Sequence, residues 1–500
     1  MLVVANEDGE RWWGGAVADG ALMPFGPGHR RDLAWSAGRP DDPGHGPNQS
    51  APLLLSSAGR YIWSERPFTF EVGAGELRVS GDDLVLDRAG GSLGDAFRGA
   101  SARFFPPSGR APARELFTGP QYNTWIEMPY TPTQDQVLGY ARRVLDAGLP
   151  PGVLMIDDCW SPGYGTWRFD RARFPDPRGM IDRLHEQGFS VMLWLVPFVS
   201  PDSATFRDLE RRGLLVRDVT GDTAIRRWWN GYSAVLDATD PDGVAWLHGE
   251  LDALVADHGV DGFKFDAGDL HFYRGTSAEP VDHCEAWARA GERYPFNEFR
   301  ACWKRGGRPL AQRLHDKPPS WTGDGLASLI PELVAQGLIG HAFTCPDMVG
   351  GGEIDAVTRA GAVDQEFFVR YAQIAALAPM TQFSILPDRV LDARHRAAVR
   401  AALDIRRTLL PLILDLVDHA AATGEPIVRP MAYHGFEHVN DQFLLGPDLL
   451  VAPVLHPGAA ERTVLLPPGR WDADNGETLT GPATISTPVD LERIPHFRRA

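Results

Sequence analysis

Lysine is almost absent. Only Lys264, Lys304 and Lys317 occur among the 49 basic residues of a 500-residue chain; the rest are arginine. None of the three follows a glycine, so a GxxxxGK[ST] phosphate loop cannot form and nucleotide chemistry of that type is excluded. Cysteine is scarce as well. Cys159, Cys284, Cys302 and Cys345 are widely spaced, without a CxxC, and read as thiols of a reducing compartment. No run approaches the roughly 20 apolar residues needed to cross a bilayer. Positive charge is in deficit, 66 acidic residues giving a formal net charge of -17, opposite in sign to the footprint of a nucleic-acid or anionic-membrane binder. The opening MLVVANEDGERWWGG has acidic residues where a secretion signal starts basic, so the cytoplasm is the expected location. His-x-His and His-Glu-x-x-His are missing, which argues against a zinc hydrolase.

What is present is ordinary globular composition, 43% hydrophobic and 23% charged, enough for two or three packed domains. Residues 1–112 alternate in short segments, such as Phe68 to Val72 and Leu77 to Val79, broken by Gly, Pro and Asp, which predicts an antiparallel β-sandwich module. From 113 to 425 apolar runs alternate with helical periodicity. Eight runs read as strands: Phe117 to Trp125, Val153 to Asp158, Val191 to Phe198, Val260 to Asp266, Phe299 to Trp303, Ser320 to Asp324, His341 to Asp347 and Pro379 to Leu386. Between them, Val137, Leu138, Ala141, Val144 and Leu145, and likewise Val244, Leu247, Leu251 and Leu254, fall on single helix faces. Eight βα units over about 300 residues predict an α/β fold built on a (β/α)8 barrel. Residues 426–500 return to β texture and predict a C-terminal β-sandwich.

Active sites of such barrels lie at the C-terminal ends of the strands, so acidic residues that end apolar runs are the candidates. Three runs end this way: Ile156-Asp157-Asp158, Phe263-Lys264-Phe265-Asp266 and Trp321-Thr322-Gly323-Asp324. Strand alternation puts Lys264 and Asp266 on one face and the two phenylalanines on the other, against the helix layer. A buried charge needs a partner, so Lys264 and Asp266 form either an internal ion pair or a working site. Asp324 follows Asp266 at about two βα units. Two carboxylates across a pocket with Trp125, Trp160, Trp228 and Trp229 would suit a glycosidase, whose sugar stacks on flat apolar rings; the plain alternative is that these tryptophans are core. Gly90-Gly91-Ser92-Leu93-Gly94 fits GxSxG but lies in β texture and reads as a turn. Gly350-Gly351-Gly352 is the one segment suited to a phosphate-binding barrel, a reading that leaves the carboxylates unexplained.

At Arg227 to Gly231, Phe263 to Gly268, Ser328 to Pro331, Pro346 to Gly351 and Gln382 to Ser384 the chain resembles glycoside hydrolase family 31, in the branch of myogenesis-regulating glycosidase and bacterial α-galactosidases. Trp12 to Gly15 and Leu449 to Val454 resemble that family's flanking β modules. The resemblance implies Asp266 as nucleophile and Asp324 as general acid/base. It implies Trp125, Asp157, Asp158, Trp229, Lys264, Arg308 and Asp347 around the sugar, with Arg313 a competitor of Arg308. It departs from the commoner α-glucosidase pattern at Lys264, where an aromatic is usual, and at Pro346, where a histidine is usual, and both departures point toward galactose. The implied activity is retaining, exo-acting α-galactoside hydrolysis of an α-linked oligosaccharide or glycoside, with no metal or organic cofactor required. Retention would set the two carboxyl groups about 5 to 5.5 Å apart. An α-glucosidase or α-xylosidase on the same scaffold is the alternative, then a sugar-binding protein without turnover. A homo-oligomer is left open, because the sequence does not give the oligomeric state.

Overall fold

The computed structural model describes residues 1–34, 48–277, 279–354 and 363–500. The chain divides into two compact units, one of Met1–Leu33, Ser50–Ala111 and Gly306–Ala500, the other of Ala34–Gln49 and Pro112–Arg305.

The second unit contains five parallel strands in sequence order: Gln121–Asn123, Val153–Ile156, Ser190–Leu195, Gly262–Phe265 and Phe296–Phe299. Their residues are almost all buried, as expected of parallel strands covered on both faces. Helices Gln134–Asp146, Pro177–Glu186, Pro241–His258 and Pro280–Gly291 alternate with them. The starts of these helices are written in the sequence. Thr133 and Gln136 form a capping box, while Asp176 and Asp240 cap helices that begin with proline. Val137, Ala141 and Val144 are buried on the first helix, and Leu247, Leu251 and Leu254 on the third, as the periodicity predicts. After the third strand the chain inserts an antiparallel sheet of Phe198–Val199, Gly231–Val235 and Ile225–Trp228. Trp228 pairs with Gly231, which leaves Trp229 and Asn230 at the tip of a tight hairpin.

The first unit contains the parallel pair Gln312–Arg313 and Thr344–Cys345, the strand Gln382–Phe383, and helices Leu329–Leu338, Gln365–Ala376 and Ala393–Thr423. Its N-terminal part has one antiparallel sheet of Leu2–Ala5, Glu76–Ser80, Thr69–Val72 and Arg30–Asp32, and a second in which Trp12–Ala16, Asn48–Ser56, Arg60–Trp63 and Val85–Arg88 pair. Residues 428–499 form a six-stranded antiparallel sheet over a core that includes Met431, Leu450, Val464, Trp471 and Phe497. Helix Leu329–Leu338 is apolar nearly all round and packs on Val17–Leu22 and on Val428–Arg429. Its neighbours come so close that a Cβ on Gly20 would meet Pro331 O at 2.6 Å. This helix therefore ties the two β modules together inside one unit.

The fold class is the expected (β/α)8 barrel with flanking β modules, and the differences are local. The fifth strand is Phe296–Phe299; Ala301–Trp303, expected within it, is a separate strand. The sixth is Gln312–Arg313, not Ser320 to Asp324. The hydroxyl of Ser320 donates to Thr322 O and accepts from Thr322 N–H, and Gly325 N–H closes back on Thr322 O, so the segment is a turn. Gln312 and Arg313 are polar but fully buried, and hydrophobic patterning passes over such a strand.

Candidate active site

Strand Gly262–Phe265 turns Phe263 and Phe265 toward Tyr294 and Trp287, with ring centroids 4.9 and 5.4 Å apart. Alternation therefore sends Lys264 and Asp266 the other way. Lys264 is 3% exposed, and its Nζ lies 2.8 Å from Asp157 Oδ2 and 3.9 Å from Asp266 Oδ2. Trp194, opposite Lys264 in the neighbouring strand, donates its indole N–H to Asp266 Oδ2 at 2.7 Å. The other oxygen, Oδ1, accepts from Ala267 N–H at 2.8 Å and faces Arg300 Nε at 3.1 Å. Ala267 has φ 55°, a conformation few non-glycine residues adopt, in the turn that brings its N–H back to the carboxylate. Gly268 follows because a Cβ there would meet Trp287 Cδ1 at 2.5 Å. Asp266 thus has two N–H donors and two cations beside its oxygens.

Asp157 and Asp158 leave the second strand. Asp157 N–H donates to Thr124 Oγ1 at 2.9 Å, and Asp158 N–H to Asp157 Oδ1 at 2.9 Å. Asp158 accepts from Asn230 of the hairpin tip and, at 3.4 Å, from Tyr164. Burial, with the charge of Asp157, pushes the Asp158 carboxyl up to about 6. Cys159 beside it is pushed up to about 12, chiefly by burial, which makes it an inert thiol, and none of the four cysteines forms a disulfide. The four tryptophans divide. Trp160 and Trp228 are buried core, whereas Trp125 is half-buried and Trp229 is 43% exposed, with Arg300 Cζ 5.1 Å from its ring centroid.

Asp324 lies in the other unit, on the turn after strand Gln312–Arg313, with 39% of its side chain exposed. His315 Nε2 is 2.7 Å from its Oδ2, and Lys317 Nζ is 3.0 Å from its Oδ1. Lys317 Nζ also lies 2.6 Å from Glu332 Oε2. Burial raises the Asp324 carboxyl, but His315 and Lys317 outweigh it and hold the group below the ordinary carboxylate range. Burial and Lys317 push His315 down to about 4. His315, Asp324 and Glu332 offer ligand atoms within 4.8 Å of one another, yet the Lys317 ammonium bridges both carboxylates and is itself the cation of this cluster.

Asp347 is fully buried. It accepts from Arg313 Nη1, Lys317 N–H and Gly352 N–H, each at 2.6 Å. Arg308 precedes the sixth strand, at the end away from the turn that carries Asp324, while Arg313 ends that strand beside Asp347 and Asp316. Each unit therefore collects one group of the expected residues: Asp157, Asp158, Lys264, Asp266 and Trp229 in one, Asp324, Arg313 and Asp347 in the other. Trp194, Arg300, Asn230, His315, Lys317 and Glu332 join them without having been expected there. Basic residues at alternate positions, Arg313, His315 and Lys317, are the period-2 signal that marks one face of an extended segment.

Residues 118–416 match the glycosyl hydrolases family 31 TIM-barrel domain, and residues 424–500 the family's C-terminal domain. The myogenesis-regulating glycosidase of Mus musculus is 36% identical over 421 residues, 79% of this chain and 58% of that protein. The α-xylosidase XylQ of Lactiplantibacillus pentosus is 26% identical, over 73% of this chain and 50% of its own. The chain thus spans little more than half the length of these relatives. The family 31 dextranase of Flavobacterium johnsoniae, solved with glucose, superposes with a TM-score of 0.84 at 20% identity, over all of this chain and 66% of its own. No helix among the described residues is long and apolar enough to cross a membrane.

Proposed function

The chain belongs to glycosyl hydrolase family 31, and from that premise we propose that it is a retaining, exo-acting α-glycoside hydrolase whose substrates are α-galactosides. The observation that carries the reading is Asp266 at a strand end, held by Trp194, Ala267 N–H and Arg300 with Lys264 alongside.

Asp266 is the nucleophile. Its carboxylate bonds to the anomeric carbon as the bond from that carbon to the leaving oxygen breaks, and the leaving oxygen takes the proton of Asp324. In the second step a water oxygen bonds to the same carbon, Asp324 takes the water's proton, and the bond to Asp266 breaks to return the carboxylate. Asp157, Asp158, Lys264, Trp125 and Trp229 bind the sugar. Arg313, with Asp347, takes the role expected of Arg308, because its guanidinium stands at the C-terminal end of its strand. Galactose is favoured by Lys264 and Pro346, the two departures from the α-glucosidase pattern.

Initial rates on matched aryl α-galactoside, α-glucoside and α-xyloside test the reading, with proton NMR of the first-formed sugar. We expect hydrolysis confined to the α-galactoside and an α-configured first product. Preference for the glucoside or xyloside would overturn the sugar, and a β-configured product would overturn the double displacement.

A further inference from the structure

This inference rests on the reading of Trp229 as a platform for the sugar. We propose that Asn230 is a positioning residue: with Asp158 and Tyr164 it latches the hairpin tip to the end of the second strand, and so holds the Trp229 ring in place for binding.

Packing anchors the base of this hairpin. Trp228 is buried, its ring centroid 4.4 Å from that of Phe198 and 4.6 Å from that of Tyr164, and its indole N–H donates to Ser233 Oγ at 3.1 Å. The tip is different. Trp229, one residue on, is 43% exposed, with Trp228 and Phe272 edge-to-face at 5.0 and 6.3 Å and the Arg300 guanidinium 5.1 Å from its centroid. A large side chain on an exposed turn must be ordered when a ligand stacks on it, and that ordering weakens binding unless it has been done beforehand.

Asn230 supplies the order that packing does not. Its Nδ2 carries two protons and meets two acceptors, Asp158 Oδ2 and, at 2.8 Å, Tyr164 Oη. The Tyr164 hydroxyl donates in turn to Asp158 Oδ2 at 3.4 Å, so the three side chains close a ring of hydrogen bonds. Tyr164 serves both ends of the hairpin, since its own ring stands edge-on to Trp228 at 78°. Asp158 ties the latch to the reacting groups. Its N–H donates to Asp157 Oδ1, and Asp157 Oδ2 holds the Lys264 ammonium at 2.8 Å. The tip that carries Trp229 is thereby fixed relative to the strand ends that carry Lys264 and Asp266.

The test is a double-variant cycle on whichever 4-nitrophenyl α-glycoside of galactose, glucose or xylose the protein hydrolyses. We expect Asn230→Ala to raise KM a few-fold with a smaller fall in kcat. Tyr164→Phe, which keeps the ring against Trp228, should raise KM less. Asn230→Asp, which sets a second carboxylate against Asp158, should raise it at least as much as the alanine does. In the Trp229→Ala background, Asn230→Ala should add nothing, because the ring it holds is gone. A further rise in that background would mean that Asn230 acts through Asp158 or touches the sugar itself, and would overturn the proposal. Trp229→Ala alone separates the two levels. If it leaves KM unchanged, the platform reading falls and this inference with it; if it raises KM and Asn230→Ala does not, only the latch falls. Fluorine NMR of protein labelled with 5-fluorotryptophan gives a second reading that needs no substrate. The resonance lost in Trp229→Phe identifies the ring. Asn230→Ala should shift that resonance and narrow its line, and a resonance left in place would refute the latch.

Discussion

Asp266 and Asp324 each have a lysine within 4 Å, in a chain with only three lysines, but the two carboxylates are held in opposite ways. Asp266 is 6% exposed and accepts from an indole N–H and a backbone N–H, with a guanidinium and an ammonium alongside. None of these groups can take a proton from it. Asp324 is more than a third exposed and meets a histidine, which can give or accept one. On the roles we propose, the carboxylate that stays ionised has two cations and two neutral N–H donors beside it, and the one that exchanges a proton has one lysine and a histidine. Both ammonium groups lie closer to a second, buried carboxylate, Asp157 or Glu332.

The sharpest way to break this comparison is to remove each carboxylate. Asp266→Ala should abolish turnover of every leaving group, while circular dichroism shows the fold retained. Asp324→Ala should cost about 10²- to 10⁴-fold on alkyl glycosides and far less on activated aryl ones. Azide should restore part of its rate with formation of a glycosyl azide. Wild-type rates in the first variant, or an equal loss on all leaving groups in the second, would contradict the assignment.

Exchanging the lysines is the next test. Lys264→Met leaves Asp157 buried without its cation, and Lys317→Met does the same to Glu332, so each should lower unfolding stability by about 3 to 5 kcal/mol in denaturant titration. The pH profiles should then separate the two. Lys317 is one of the groups that hold the Asp324 carboxyl low. Without it the acid stays protonated to higher pH, and the alkaline limb of kcat/KM moves upward. Lys264→Met should leave that limb in place. A limb unmoved by Lys317→Met would mean that Asp324 does not control it.

The same contrast explains what was legible in the sequence. The Asp266 side is written in strand alternation: Phe263 and Phe265 point to the helix layer, Lys264 and Asp266 away from it, and Asp157 ends the run Val153 to Ile156. The N-terminal segments around Phe70 and Val79 were equally plain, because one face of each strand is buried and the other exposed. The Asp324 side defeated the same rule. Its strand consists of a glutamine and an arginine that are fully buried, and the apparent strand end at Asp324 is a turn. Of the two arginines that the resemblance leaves open, Arg308 precedes the strand and Arg313 ends it, beside Asp347. The hairpin that carries Trp229 and Asn230 was legible as a motif and not as a strand pair, since Ile225 and Arg227 leave one of its strands largely exposed.

The smallest expected effect belongs to Trp229, which belongs to the Asp266 side of the comparison but is not buried like the rest of it. Trp229 is 43% exposed at the hairpin tip, and its ring lies over Arg300, whose Nε faces Asp266 Oδ1. An aromatic face above a guanidinium at a partly exposed site is worth about 0.5 to 1 kcal/mol, and one face of a sugar stacked on it contributes a similar amount. Trp229→Ala should therefore raise KM a few-fold. Because Arg300 keeps its contact with Asp266 when the ring is gone, kcat should fall less than KM rises. Trp229→Phe should recover most of the loss. A fall in kcat with KM unchanged would show instead that the ring acts through Arg300 on the nucleophile, and the exposed rim would then belong to the catalytic cluster and not to sugar binding.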